Sequence, residues 1–160
     1  MAQHRPEAVP PAMLLVAGPT PAAMRPLREL LTGEGFGVRS ATGGQEALEL
    51  VAESRPTLIL LGNGMPGMDA YAVCEHFKAD EALAHIPVIL VCDSGEVADR
   101  AKVFGVGAAD YITRPFAREE VLARVQAHLA IGRAKAQSEM VSQELGAARA
   151  EYERARAALA

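Results

Sequence analysis

Tryptophan is absent from this chain, and aromatic residues make up only 4% of its 160 positions. Single-stranded nucleic-acid binders stack bases on aromatic faces, so that class is a poor fit. Basic charge is also short. Lys and Arg number 16 against 20 Asp and Glu, for a net charge of −4 and a pI near 5.6, whereas a nucleic-acid footprint is basic. No apolar run approaches the roughly 20 residues needed to cross a bilayer; the longest are Met13–Ala17, Thr57–Leu61 and Ile86–Cys92. The two cysteines, Cys74 and Cys92, sit in apolar settings without C-x-x-C spacing. They read as buried thiols in a reducing compartment. The opening "MAQHRPEAVPPA" is polar and Pro-rich with no apolar core, so it is not expected to be a signal peptide. Residues 1–10 read as a disordered lead-in. The expectation is a cytoplasmic chain with neither a nucleic-acid nor a membrane partner.

What the chain has is apolar residues, half of the total. Three runs rich in Leu, Ile and Val stand out, "MLLVA", "TLILL" and "IPVILV", and none alternates with polar residues. Continuous runs bounded by Gly and Pro suit strands buried on both faces of a parallel sheet. "FGVRSA" and "ADYIT" are weaker strand candidates. Between them, helical periodicity covers Pro21–Gly33, Gly44–Ser54, Ala70–Ala79 and Glu96–Phe104, and a last helix begins at Arg118. Five alternations of strand and helix predict an α/β fold, a doubly wound parallel sheet with right-handed crossovers. Pro26 inside the first helix removes a backbone bond, so that helix is expected to kink or to begin later than Pro21.

Open sheets of this kind bind ligands at the carboxyl ends of their strands. Those ends offer Ala17-Gly18, Gly62-Asn63-Gly64, Cys92-Asp93-Ser94 and Thr113-Arg114-Pro115. No carboxylate pair is available for a hard cation. No Ser-His or Cys-His partnership is evident for nucleophilic catalysis, and Gly18-Pro19-Thr20 lacks the phosphate-wrapping G-x-x-x-x-G-K pattern. No catalytic residue, metal site or cofactor is expected, and the chain reads as a non-enzyme.

The ordered motifs M-P-x-M-D, I-P-V-I and G-A-x-D-Y-I-T-x-P-F, spread over roughly residues 11–130, resemble the receiver domain of two-component response regulators. The resemblance implies a flavodoxin-like sheet of order 2-1-3-4-5. It also implies a phosphoryl-accepting aspartate ending the third strand and an acidic Mg²⁺-holding pair ending the first. A Thr or Ser ending the fourth strand and a Lys ending the fifth bind phosphoryl oxygens in such domains. Carried over by position, the acidic pair is Ala17 and Gly18, the acceptor Gly62, the hydroxyl residue Cys92 and the lysine Arg114. Tyr111 alone keeps the family type, as the switch aromatic. The expectation is a degenerate pseudo-receiver. Asp69, in the M-P-G-M-D turn, is a remote substitute acceptor. Asp93 and Arg114 are candidates for a fixed ion pair if strands four and five are neighbours, and two solvated side chains pointing apart is the competing picture.

Residues 131–160 shift to Ala, Glu, Arg, Gln and Ser. Apolar residues at Ile131, Ala134, Val141, Leu145, Ala148, Tyr152, Ala155 and Leu159, interrupted by Ser138, alternate by three and four, as in a coiled-coil seam. With Leu145 and Tyr152 at position a, Glu144 and Glu151 fall at g and Arg149 and Arg156 at e. A parallel, in-register homodimer would then pair opposite charges. Three of the four d-type positions are Ala, which bury little, so the expected dimer is weak. The bland alternative is one amphipathic helix extending the domain.

Three functions compete. One is a phosphorylation-independent signalling module that binds other signalling proteins, or an output domain beyond residue 160, through its fourth helix, fifth strand and fifth helix. Another is a sensor holding a nucleotide or anion near Arg114, with Gly18, Gly62 and Gly64 making room. The third is a residual phosphorelay.

Overall fold

A computed structural model of the chain describes residues 12–93 and 100–159. Five strands alternate with five helices: β1 (Met13–Gly18), α1 (Pro21–Gly33), β2 (Gly37–Thr42), α2 (Gly44–Ser54), β3 (Leu58–Gly62), α3 (Ala70–Ala79), β4 (Val88–Asp93), α4 (Arg100–Gly105), β5 (Asp110–Arg114) and α5 (Arg118–Leu159). The strands pair in parallel in the order β2-β1-β3-β4-β5. This is the flavodoxin-like arrangement that the receiver resemblance implied. The expected lead-in, and the expected start of the fourth helix at Glu96 with Val97, lie outside the described residues.

Two-residue alternation sorts each apolar run onto two sides of the sheet. Leu14 and Val16, Leu58 and Leu60, and Ile89 and Val91 join Met24, Leu27 and Leu31 of α1 and Val121, Val125 and Leu129 of α5. Leu15, Ile59, Leu61, Val88 and Leu90 face the other way, against Val51 of α2, Val73 and Phe77 of α3 and Val103 of α4. All five residues of β3 are buried. The absence of polar alternation in "LILL" is therefore a direct consequence of two covered faces.

Helix ends follow local chemistry. Thr20 caps α1 by accepting from the Ala23 amide at 3.1 Å, with Pro21 in the first turn where no backbone donor is needed. Helix α1 thus starts at Pro21 and contains Pro26, so the later start considered from sequence does not occur. Asp69 caps α3, its Oδ1 accepting from the Ala72 amide at 2.7 Å. Cys74 and Cys92 are buried thiols, and burial pushes Cys74 up to about 11, which keeps it protonated.

Helix α5 runs unbroken for 42 residues, about 60 Å at roughly 1.5 Å per residue. Its buried residues stop at Leu129, and Ile131, Leu145, Tyr152 and Leu159 are all more than half exposed. No helix among the described residues is long and apolar enough to cross a membrane.

The root of α5 is fastened to the start of β5. Asp110 receives Arg124 Nη1 at 2.8 and 2.9 Å and faces His128 Nε2 at 3.0 Å. Burial alone would push the Asp110 carboxyl up. Hydrogen bonds from His128, the Tyr111 amide and Arg124 outweigh it and hold the group below its ordinary value of 3.8. Stability from such a group is present above the ordinary value and is lost as pH falls through the lower folded-state value. Replacing Asp110 by Asn should cost about 1–3 kcal/mol at neutral pH. Urea titrations across pH should show the variant and the native chain converging in acid.

Candidate functional site at the carboxyl ends of the strands

The strand ends extend one or two residues past the last apolar letter. Ladder pairing needs only backbone, so Gly18, Gly62, Asp93 and Arg114 are themselves the last paired residues of β1, β3, β4 and β5. The same alternation that sorts the core sorts these positions. Gly18, Gly62, Asp93 and Arg114 share parity with the side facing α1 and α5, whereas Ala17, Cys92 and Tyr111 share parity with the side facing α2, α3 and α4.

Arg114 sits on the first of these sides and organises it. Asp93 and Arg114 are register partners on neighbouring strands, and Arg114 Nη1 lies 3.3 Å from Asp93 Oδ1. Its Nη2 donates to the Ala23 carbonyl of α1 at 3.3 Å. A methyl group built on Gly62 would lie 3.6 Å from the same Nη2 and 3.3 Å from the Ala17 carbonyl. The side chain therefore crosses β4 and covers the end of β3, a span of two strand spacings of about 4.8 Å each. Arg114 is a quarter exposed and Asp93 more than half, so the ion pair itself stabilises little. Arg114 matters here mainly as packing material.

The room suggested by Gly18 and Gly62 is taken up by neighbouring side chains. A methyl group on Gly18 would approach Met24 Cγ to 2.7 Å, because Met24 of α1 is buried against β1. Gly62 is covered by Arg114. Gly64 has φ +81°, in the left-handed region, and a methyl group built on it would meet only Pro19 Cγ, at 3.9 Å. Its glycine answers the backbone turn. Beside this cluster Asn63 donates its backbone N–H to the Val91 carbonyl, while its buried side-chain Oδ1 has no hydrogen-bond partner. Cys92 is buried on β4. Tyr111 is half-buried on β5 and packs against the core on the α2–α4 side. Among the described residues no three His, Cys, Asp or Glu side chains gather as a metal site would require.

Two participants gave no advance signal in the sequence: Met24 and the Ala23 carbonyl. A methionine on an apolar helix face has the periodicity of any core residue, and a backbone carbonyl has no letter at all.

A doubly wound parallel sheet whose strand ends meet at one edge defines a class of α/β signalling and nucleotide-binding folds. Within it this chain belongs to the response regulator receiver family, whose domain model matches residues 14–126. It is similar to the DNA-binding dual master transcriptional regulator RpaA of Synechocystis, 39% identical over 95 residues, which covers 59% of this chain and 39% of that protein. It is also similar to the response regulator PleD of Caulobacter vibrioides, 37% identical over 115 residues, covering 72% of this chain and 25% of PleD. The chain thus spans well under half the length of either relative. A crystal structure of the signal receiver domain of a Syntrophus aciditrophicus signal transduction histidine kinase superposes with a TM-score of 0.69 at 29% identity, covering 74% of this chain and 90% of that one.

Chemical denaturation separates the packing contributions at this edge. Gly18→Ala should destabilise by about 1–3 kcal/mol through collision with Met24. Asp93→Asn should change stability by no more than about 0.5 kcal/mol.

Proposed function

We propose that this chain is a pseudo-receiver, a two-component signalling module that works by protein contact without taking up a phosphoryl group. The observation that carries this reading is the Arg114 guanidinium lying over Gly62, between Asp93 and the Ala23 carbonyl. Gly62 stands where the family places its phospho-acceptor and has no nucleophilic atom. The Mg²⁺ of working receivers does not fit the residues present. Ala17, Gly18 and Gly62 have no side-chain oxygen, the Asp93 carboxylate is turned to Arg114, and Asn63 Oδ1 is a single neutral donor. A fixed cation at the same spot opposes a second one. Asp69 is engaged as the cap of α3, which argues against it as a substitute acceptor.

Since phosphoryl transfer rests on positioning and charge neutralisation, losing nucleophile and metal site together removes the reaction. Cys92 in the hydroxyl position is a weak hydrogen-bond partner, so Tyr111 serves as a fixed part of the surface. The nucleotide or anion reading at this edge has no support from the packing, because Met24 and Arg114 take up the room. Partners are other signalling proteins, or an output module, met through α4, β5 and α5. Phe104 of α4, half exposed, is the apolar anchor on that face.

The second half of the reading is dimerisation through the outer part of α5. Ile131, Val141, Leu145, Tyr152 and Leu159 form an uncovered apolar stripe, and Ala134, Ala148 and Ala155 complete a three-and-four spacing interrupted at Ser138. Ala148 and Ala155 let two helices approach closely. Arg149 Nε lies 3.5 Å from Glu153 Oε1 of its own helix, with both side chains well exposed. In a parallel pair it would exchange that weak contact for the partner's Glu144, as Arg156 would meet the partner's Glu151.

Incubation with acetyl phosphate and Mg²⁺ should leave the intact mass unchanged, and a species about 80 Da heavier would overturn the reading of Gly62. Light scattering should show a dimer fraction that rises with concentration and collapses in Leu145→Glu. A strict monomer at high concentration would remove the coiled coil from the proposal.

A further inference from the structure

A cavity opens at the opposite edge of the sheet, where β3 and β4 begin. It measures about 320 Å³ and lies between the α2–β3 loop, the α3–β4 loop and the root of the exposed part of α5. That is the lower end of the range for ligand pockets, about 300–1,000 Å³. Its floor is aliphatic: Pro56, Ile86, Pro87, Leu129 and Gly132. Its rim is basic: Arg55, His85, Arg133 and Lys135, with Glu139 as the single carboxylate. In a chain of net charge −4 this concentration of cations is out of character.

None of Arg55, Arg133 and Lys135 has an ion-pair partner among the described residues, where the ion pairs present lie elsewhere. Arg55 is also the one described non-glycine residue with positive φ, at 44°. A left-handed arginine ending α2 is disfavoured on backbone grounds, yet it presents a guanidinium to the cavity. Behind the floor a further cation, Lys78 Nζ, is held by the carbonyls of Ala84 and Ile86 at 2.9 and 2.7 Å. Burial lowers its proton affinity. On the helix side, Asp110 is already committed to Arg124 and His128, so it does not neutralise the rim.

We propose that this cavity binds a small organic anion, with an aliphatic body on the Pro–Ile–Leu floor and a phosphate or carboxylate head among Arg55, His85, Arg133 and Lys135. The lining has no Phe, Tyr or Trp, and its two imidazoles, His85 and His128, are polar, which disfavours a nucleobase as the body. Convergent polar groups over an apolar floor are the general make-up of small-molecule sites. The rim draws two residues from loops of the sheet domain and two from α5. An occupant would therefore tie the root of the exposed helix to the body of the domain. This inference stands apart from the pseudo-receiver reading, which concerns the other edge of the sheet.

The test is a two-dimensional amide NMR titration of the full chain with hexyl phosphate, hexanoate, inorganic phosphate and hexanol. Saturable shifts at Thr57, Ile86, Leu129 and Gly132 are expected with hexyl phosphate or hexanoate, and the tighter of the two identifies the head group. Hexanol should not saturate, and inorganic phosphate should bind at least about tenfold more weakly than the better alkyl anion. The double variant R133E/K135E, altered only at exposed positions, should weaken binding by about tenfold or more. Arg55→Gly should also weaken it while keeping the fold, since glycine accepts the left-handed turn. Absence of saturable shifts at millimolar concentration, shifts confined to the Arg114 edge, or undiminished binding in both variants would overturn the proposal. Inorganic phosphate binding as tightly as hexyl phosphate would overturn the assigned aliphatic body.

Discussion

A parallel sheet has no face that it can leave in water, and the burial of every residue of β3 on both sides is the constraint from which this molecule is built. Helices must cover two faces, so the chain returns to the same edge after each crossover and all five strands point one way. Side chains at the strand ends are brought together there whatever their identity. Convergence at that edge therefore belongs to the fold, and chemistry is added by the residues that occupy it.

At the carboxyl edge the occupants form a packed group in which Asn63 Oδ1, alone among the described buried polar side-chain atoms, lacks a hydrogen-bond partner. The two-residue period places Gly18, Gly62, Asp93 and Arg114 on one side, and Arg114 is long enough to span the gap left by glycine. Its contacts with Asp93 and the Ala23 carbonyl tie β5 and β4 to α1. Met24 performs the same service beside Gly18. What holds this edge is chiefly volume filled in register. The partly exposed charges add little, as expected for an ion pair open to solvent.

Helix α5 lives in two environments along one continuous backbone. Through Leu129 it is a core element, held by Val121, Val125 and the Asp110–Arg124–His128 cluster. Beyond Gly132 it is a solvated rod with an apolar stripe. The basic cavity sits at the change from one to the other. A continuous helix transmits a tilt at its root along its whole length, which gives that junction leverage over whatever the outer helix contacts.

Much of the fold was legible in the residues. The helices at 21–33, 44–54 and 70–79 and the start at 118 were set by apolar periodicity, N-cap residues and glycine stops. The strand runs were legible because burial on two faces excludes polar alternation. Strand ends were read short by a residue or two, since Gly18, Gly62, Asp93 and Arg114 pair through backbone and carry no apolar signal. The sequence by itself determined the parallel α/β architecture, the residue types at the family's site positions and the heptad spacing of the last helix, all of which are local or periodic properties. Only the tertiary structure decided that Arg114 and Met24 fill the space beside the glycines. It alone brought Arg55 and His85 to the same cavity as Arg133 and Lys135. Those contacts join residues far apart in the chain, and one-dimensional spacing carries no record of which distant side chain occupies a given volume.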